Sequence, residues 1–219
     1  MTARLLLLMG PAMVLAACST PNVQKAATAP QPRSIGTPPP RSAATGLSAM
    51  MAAAATATNP YVGGAKMMGT RTIADNCAAA PNLRQLARAL NAGGGRAALS
   101  SAGPITVFAP SDAAFGRLAP GAVDQLLAPA NRAALAKVLN YHVVPGAITL
   151  ADLRARIDAG GGRTQLTTLD GEPLLAARDG DAVALTDVNG NKSYVETPDV
   201  QQVNGVIHVV NGLLVPRLG

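Results

Sequence analysis

The composition of the chain changes abruptly near residue 59, and this break limits where a folded core can form. Residues 19–58 contain six Pro, eleven Ala, six Thr and four Ser, with no acidic residue and almost no large apolar side chain. Such a stretch cannot bury enough apolar surface to offset the entropy of ordering the chain. We therefore predict a disordered tether over residues 18–58 and one compact domain over residues 59–219. Within the tether, Met50 to Thr58 could form a turn or two of helix, because Ala favours helix.

The first 17 residues have the pattern of a secretion signal. Met1 to Arg4 is a short positive start, and Leu5 to Ala16 is an apolar run of twelve residues. That run is too short to cross about 30 Å of hydrocarbon comfortably as a helix, but it suits a signal peptide. The segment Leu15-Ala16-Ala17-Cys18 resembles the lipobox of bacterial lipoproteins. This resemblance implies cleavage of residues 1–17 and fatty acylation of Cys18.

Ser19 follows the cysteine where retained lipoproteins carry Asp, a pattern similar to that of lipoproteins sent to the outer membrane. The resemblance thus implies a lipid-anchored protein of the cell envelope, on the outer membrane facing the periplasm or the cell surface. More than one acyl chain would make the attachment lasting. The alternative is a soluble secreted protein in which Cys18 is accidental.

The net charge of +6 and the pI near 9.9 would suit a nucleic-acid binder, but the distribution of charge does not. Residues 59–219 carry 14 Lys plus Arg against 12 Asp plus Glu, and the whole chain has two Phe, three Tyr and no Trp. Binding of nucleic acid requires a clustered basic face and usually aromatic stacking platforms. We predict no nucleic-acid partner.

The first half of the domain has the apolar spacing of helices. Ile73 and Cys77 are four residues apart, and Leu83, Leu86 and Leu90 follow the same period after a break at Pro81. A further helix is predicted from Arg132 to Asn140. Thr149 with Asp152 three residues later resembles a capping box that begins another helix. Short strands are predicted at Ile105 to Ala109, stopped by Pro110, and at Tyr141 to Val144.

After Gly162 the hydrophobic period changes from 3.6 to 2. The short apolar runs there are separated by dipeptides that tolerate positive φ and make tight hairpins: Asp170-Gly171, Asp179-Gly180, Asn189-Gly190 and Asn204-Gly205. The last third is therefore predicted to be antiparallel sheet. Helices first and hairpins after predict an α+β fold.

Three segments, in this order, now resemble a known family. They are Thr106 to Phe115 (TVFAPSDAAF), the pair Tyr141-His142, and Asn204 to Val210 (NGVIHVV). Together they are similar to the conserved blocks of the fasciclin domain, and the likeness covers residues 59–219. The resemblance implies a wedge of two small β-sheets with helices packed around it. The motif residues that it marks are Thr106, Phe108, Pro110, Asp112, Phe115, Tyr141, His142, Asn204, Gly205 and His208.

We expect these motif residues to be mainly structural. Phe108 and Phe115 are predicted to fill the centre of an otherwise aliphatic core, and Ser111 or Asp112 to cap the helix that carries Phe115. His142 is expected to hold a backbone carbonyl or the Asp112 carboxylate, and His208 to be structural as well. In animal fasciclin proteins the Tyr-His region is linked to adhesive contact. The resemblance thus leaves Tyr141 and His142 open as interaction residues.

No assembled catalytic or metal-binding set is visible in the sequence. Ser111, Asp112 and His142 could approach one another, but a capping Asp beside Ser is common without chemistry. Two isolated His and Cys77 do not make a zinc site, and Asp187, Asn189 and Asn191 are interpreted as a hairpin turn because the remaining calcium-loop positions do not match. We predict no cofactor, no metal and no catalytic residue.

The sequence favours an envelope-anchored, non-catalytic adhesion or protein-interaction module. Its expected partners are the membrane, reached through the N-terminal lipid, and an unknown protein or glycan of the envelope. The first alternative is a periplasmic binding protein for a small molecule or glycan, which would need a concave apolar pocket with a few convergent polar groups. A hydrolase is the remaining alternative.

Overall fold

The computed structural model of the chain describes residues 52, 54, 58–100 and 103–218. The predicted signal peptide, the predicted acylation site Cys18 and nearly all of the predicted tether lie outside the described residues. Ala52 and Ala54 are both helical, and Ala54 is buried. The described domain therefore receives a buried side chain from a position before residue 59.

The helices are concentrated before residue 160, as the apolar spacing predicts. They are α1 Ile73–Ala79, α2 Arg84–Gly93, α3 Arg96–Leu99, α4 Asp112–Phe115, α5 Ala122–Leu127, α6 Arg132–Tyr141 and α7 Leu150–Ala159, with a 3₁₀ turn at Pro129–Asn131. The Thr149–Asp152 capping box predicted for α7 is confirmed, with both reciprocal hydrogen bonds present. Helix α2 ends at Gly94, whose φ of 73° lies in the left-handed region that glycine tolerates.

The strands form a two-stranded hairpin and a seven-stranded sheet. They are β1 Tyr61–Val62, β2 Ala65–Lys66, β3 Ile105–Pro110, β4 Val143–Pro145, β5 Arg163–Thr167, β6 Pro173–Asp179, β7 Ala182–Thr186, β8 Lys192–Gln202 and β9 Gly205–Val210. The larger sheet has the order β4-β3-β9-β8-β7-β6-β5. The α+β class is confirmed. The eleven-residue strand β8 connects the two halves of this sheet, and its register against β9 shifts between Val195 and Val200.

The pairing of β3 with β9 is parallel, whereas every other strand pair of this sheet is antiparallel. All six residues of each of these two strands are buried. Because successive side chains of a strand point to opposite faces, β3 divides the core in two. Val107 faces a cluster with the helices α1, α2 and α6, and Phe108 faces a second cluster with α7 and the β5–β7 strands.

This division separates the two phenylalanines, which were predicted to fill the centre of one core. Phe115 belongs to the helical cluster and Phe108 to the other, although both are buried. Two local predictions also change. Tyr141 is the last residue of α6, and the strand that was predicted from Tyr141 begins at Val143. Pro110 is the last residue of β3 and pairs with Val210, but the N–H that bonds the Val210 carbonyl comes from Ser111, so the missing N–H of Pro110 does not interrupt this pairing.

Candidate functional site

The Tyr141-His142 pair lies where α6 turns into β4, and both side chains are buried. His142 is the C-terminal capping residue of α6, and its backbone N–H donates to the Leu139 carbonyl. The turn directs both side chains inward, toward the end of the chain and the β7–β8 connection. The contacts of this pair define the candidate site.

Both ring nitrogens of His142 are hydrogen-bonded to backbone groups. Nδ1 lies 2.8 Å from the Val138 carbonyl oxygen, and Nε2 lies 3.1 Å from the backbone nitrogen of Leu214. A carbonyl only accepts and an amide N–H only donates, so Nδ1 must carry the proton and Nε2 must be unprotonated. The predicted backbone carbonyl partner is therefore Val138, and the Asp112 carboxylate is not a partner. Burial lowers the pKa of His142 from its ordinary value of 6.5 to about 4.

The Tyr141 hydroxyl joins two segments that follow it in the chain. It donates to the Pro173 carbonyl at 2.8 Å and accepts the Val188 N–H at 3.2 Å. Burial raises the pKa of Tyr141 to about 12, so the phenol stays protonated and keeps its donor role at any physiological pH. This side chain thus ties α6 to β6 and to the β7–β8 turn.

The carboxylate of Asp187 organises the β7–β8 turn and also holds the end of the chain. Oδ1 accepts the backbone N–H groups of Asn189 and Asn191, both at 2.9 Å. Oδ2 accepts the Asn191 side-chain amide at 2.9 Å and the Val215 N–H at 3.1 Å. The sequence predicted the turn, because an Asp that bonds the backbone two residues on is typical of turns. It gave no signal for the bond to Val215.

We call residues 211–218 the C-terminal segment; it forms no helix and no strand. Besides His142 and Asp187, three more side chains bind it. Asn189 donates to the Val215 carbonyl at 2.7 Å, Lys137 donates to the Arg217 carbonyl at 2.6 Å, and Glu172 accepts the Arg217 N–H at 3.0 Å. The Lys137 ammonium also lies 3.7 Å from the Glu172 carboxylate. Side chains take over the backbone pairing that a sheet would otherwise provide.

Two other motif residues, Thr106 and His208, bind the backbone around Ile148. Thr106 Oγ1 donates to the Gly146 carbonyl at 2.6 Å and accepts the Ile148 N–H at 2.8 Å. His208 Nε2 donates to the Ile148 carbonyl at 2.8 Å, and its Nδ1 accepts the Asp199 N–H at 3.2 Å. Its ring stacks on Phe108, with ring centroids 5.6 Å apart. Burial lowers the pKa of His208 as well.

Asn204 and Gly205 connect the helices to the central strand pair. Asn204 accepts the Ile73 N–H at 3.0 Å and donates to the Leu99 carbonyl at 2.6 Å. A Cβ on Gly205 would lie 2.0 Å from the Ile105 carbonyl oxygen, so the parallel pairing of β9 with β3 requires glycine here.

Of the two residues predicted to cap the helix that carries Phe115, Ser111 is the cap and Asp112 is not. Ser111 caps α4, with its side chain accepting the Ala114 N–H. Asp112 is the first residue of α4, and its carboxylate accepts the Gln85 N–H at 2.8 Å, in the first turn of α2. The sequence showed that a cap was needed but could not show that Asp112 serves a helix 27 residues earlier.

The motif side chains form no nucleophile–base pair. The two ring nitrogens of His142 are both taken by backbone groups, so neither is available to accept the Ser111 proton. Within residues 58–100 and 103–218, together with Ala52 and Ala54, no three His, Cys, Asp or Glu side chains gather as metal ligands. Burial raises the pKa of Cys77 to about 12, so this thiol is a poor nucleophile. Across the described part of the chain, every helix is too short or too polar to traverse a bilayer.

Surface depressions occur away from the motif residues. One of about 430 Å³ lies beside Lys137 and Leu218, and another of about 240 Å³ lies between Gln125 and Leu218. A third of about 220 Å³ lies beside Lys66 and Met68. None of these three is lined by a motif residue.

Comparisons with known proteins agree with the resemblance drawn from the sequence. The family model described as "Fasciclin domain" matches residues 81–216. Protein sll1483 from Synechocystis is 41% identical over 122 residues, a match that spans 55% of this chain and 60% of that protein. Human periostin is 31% identical over 119 residues, 54% of this chain and 13% of periostin. The matches therefore cover about half of this chain and less than two thirds of these two relatives.

A solved structure of a FAS1 domain pair, from the insect cell adhesion molecule Fasciclin I, also matches. It is 20% identical, covers 61% of this chain and 45% of that chain, and has a TM-score of 0.49.

Proposed function

Because this chain belongs to the fasciclin domain family, we propose that its folded domain is a non-catalytic adhesion or interaction module of the cell envelope. Cys18 would carry the lipid anchor, and residues 18–58 would tether the domain to the membrane. The partner would be a protein or glycan of the envelope, bound through the outer surface of the domain. Fasciclin I, which contains this domain, is described as a cell adhesion molecule.

One observation carries the proposal: the polar groups of the motif residues are engaged inside the fold. Both His142 nitrogens, the Tyr141 hydroxyl and both Asn204 amide atoms are bonded to backbone groups, and all of these groups except the Val138 carbonyl belong to distant segments. Buried polar groups with complete hydrogen bonding stabilise one arrangement of the chain. A substrate could reach them only by breaking those bonds. We infer that the motif holds the scaffold, and that recognition occurs on exposed residues beside it.

The exposed residue that best marks such a surface is Leu169. Its side chain is 41% exposed, and its backbone N–H donates to the Val143 carbonyl at 2.7 Å. It therefore lies on the outside directly next to the Tyr141-His142 pair. A large apolar side chain on the rim of this buried pair is suited to protein or glycan contact.

The small-molecule alternative has weaker support from the structure. It needs a pocket in which polar groups converge, and the depression of about 430 Å³ has a single charged side chain in its lining, Lys137. That ammonium group is already bound to the Arg217 carbonyl.

Site-specific crosslinking tests whether the surface around Leu169 binds a partner. A benzophenone amino acid is placed at Leu169 of the full-length chain in intact cells, with the exposed Asp181 on the β6–β7 turn as the matched control position. We expect an adduct from position 169 and none from 181. Sensitivity of the adduct to protease or to glycan-degrading enzymes then identifies the partner class. Equal adducts at both positions, or none at either, would reject an interaction surface beside the Tyr-His pair.

A further inference from the structure

The whole net charge of the chain lies in its first 74 residues. These residues hold six Lys and Arg and no acidic residue, whereas residues 75–219 hold 12 Lys and Arg and 12 Asp and Glu. Two of the six basic side chains, Lys66 and Arg71, lie in the described domain, on and just after the β1–β2 hairpin. The positive end of the sequence thus continues into folded structure.

The hairpin and the residues directly after it expose Tyr61, Lys66, Met68 and Arg71 to solvent, and we call these four residues the hairpin face. Tyr61 and Lys66 are directly opposite each other in the antiparallel register, so their side chains point the same way. The next residue, Val62, is buried on the other side. Tyr61 is 67% exposed and Met68 is 42% exposed, two of the few large apolar side chains on the described surface.

The basic groups of the hairpin face have no carboxylate partner among residues 58–100 and 103–218. The first acidic residue of the chain, Asp75, accepts from Thr72 and forms an ion pair with Arg96 at 3.3 Å. It is therefore already engaged. Lys66 and Arg71 form no ion pair with any residue that the structure describes. An exposed aromatic ring and a thioether, together with two cations that form no ion pair, are suited to bind a surface with an apolar interior and an anionic outer layer.

We propose that the hairpin face docks on the anionic phospholipid headgroups of the membrane in which the lipid anchor is inserted. This inference rests on the proposed anchoring, because the tether would keep the hairpin close to that membrane. Charge complementarity favours acidic lipid headgroups, since Lys and Arg next to an anionic membrane are attracted to its surface potential. Tyr61 combines an apolar ring with a polar hydroxyl, and side chains of this kind lie at the level of the lipid headgroups.

The test uses the full-length acylated protein reconstituted into vesicles of phosphatidylcholine, with or without phosphatidylglycerol. An environment-sensitive fluorophore is attached at Thr70→Cys, which lies between Met68 and Arg71 and leaves the hairpin face intact. Cys77 is buried and does not compete for the label. The control position is Asp181→Cys, on the β6–β7 turn. We expect a blue shift at position 70 in the anionic vesicles alone, reversed by high salt, and no shift at position 181.

Substitution of the two basic residues tests the electrostatic contribution to docking. Lys66→Gln and Arg71→Gln should each weaken the docking equilibrium roughly fivefold, because each basic side chain contributes about that factor near an anionic surface. Arg178→Gln, which lies on β6, should change nothing. Protein that fails to float with the vesicles would disprove the anchor. Protein that floats, but whose label at position 70 behaves alike in both vesicle types, would disprove docking while leaving the anchor intact.

Discussion

The imidazole of His142 accepts the backbone N–H of Leu214 at 3.1 Å, across 72 residues of sequence. Through this bond a motif residue at the end of a helix fixes the C-terminal segment, which forms no strand. The Asp187 carboxylate accepts the backbone N–H of the next residue, Val215. These two bonds attach the C-terminal segment to the rest of the domain.

Removing the imidazole should destabilise the domain. His142→Ala leaves the Val138 carbonyl without its side-chain donor and the Leu214 N–H without an acceptor, and each unsatisfied buried group costs about 1 to 3 kcal/mol. We expect the free energy of unfolding, measured with urea, to fall by about 2 to 6 kcal/mol. Lys137→Ala, which removes a partly exposed ion pair and a hydrogen bond to the Arg217 carbonyl, should cost less, about 1 kcal/mol. Unchanged stability of His142→Ala would refute the structural role.

Acid should weaken the fold through the two buried histidines. The pKa of His142 falls from 6.5 to about 4 on folding, and the pKa of His208 is also lowered, so the unfolded chain binds more protons between these values. Stability is then fully present above pH 6.5 and is lost as the pH falls toward 4. For His142 the loss should approach about 3 kcal/mol, since one pKa unit corresponds to about 1.4 kcal/mol.

Urea unfolding at a series of pH values between 7 and 4 measures this loss. The nearby carboxylates, Asp187 for His142 and Asp199 for His208, oppose the pKa shift but do not reverse it. The variant His142→Gln should show a flatter pH profile than the parent chain. An equally steep profile in that variant would assign the acid sensitivity to other groups.

The pairing of β3 with β9 should depend on Gly205. A Cβ there would lie 2.0 Å from the Ile105 carbonyl oxygen, a backbone atom that cannot move without separating the strands. We expect Gly205→Ala to lower the free energy of unfolding by about 3 kcal/mol or more, as overpacking against rigid backbone does. Gly103→Ala is the matched control, because no atom lies within 4 Å of its Cβ position. Equal melting temperatures for the two variants would contradict the close approach.

The anchor can be tested through the two cysteines. Cys18→Ser should abolish incorporation of labelled palmitate and release the protein from the membrane fraction. Cys77→Ser should leave both unchanged, because that thiol is buried and its pKa is raised to about 12. Membrane association that survives Cys18→Ser would remove the acyl anchor from the proposed function.

Much of the local structure could be predicted because its causes lie within a few residues. The period of Leu83, Leu86 and Leu90 predicted α2, and the Thr149–Asp152 spacing predicted the start of α7. The Asn-Gly and Asp-Gly dipeptides predicted the hairpins of the last third. Less could be predicted where two local preferences competed, and so Tyr141 was assigned to a strand although it ends a helix.

What the sequence determined by itself is the kinds of elements in the domain, because periodicity and turn chemistry act between near neighbours. Only the tertiary structure decided that β9 lies parallel to β3, that Asp112 serves α2, and that His142 and Asp187 hold the C-terminal segment. A hydrogen bond between residues 27 to 72 positions apart leaves no periodic trace in either segment. Its partners are chosen by the packing of the whole domain.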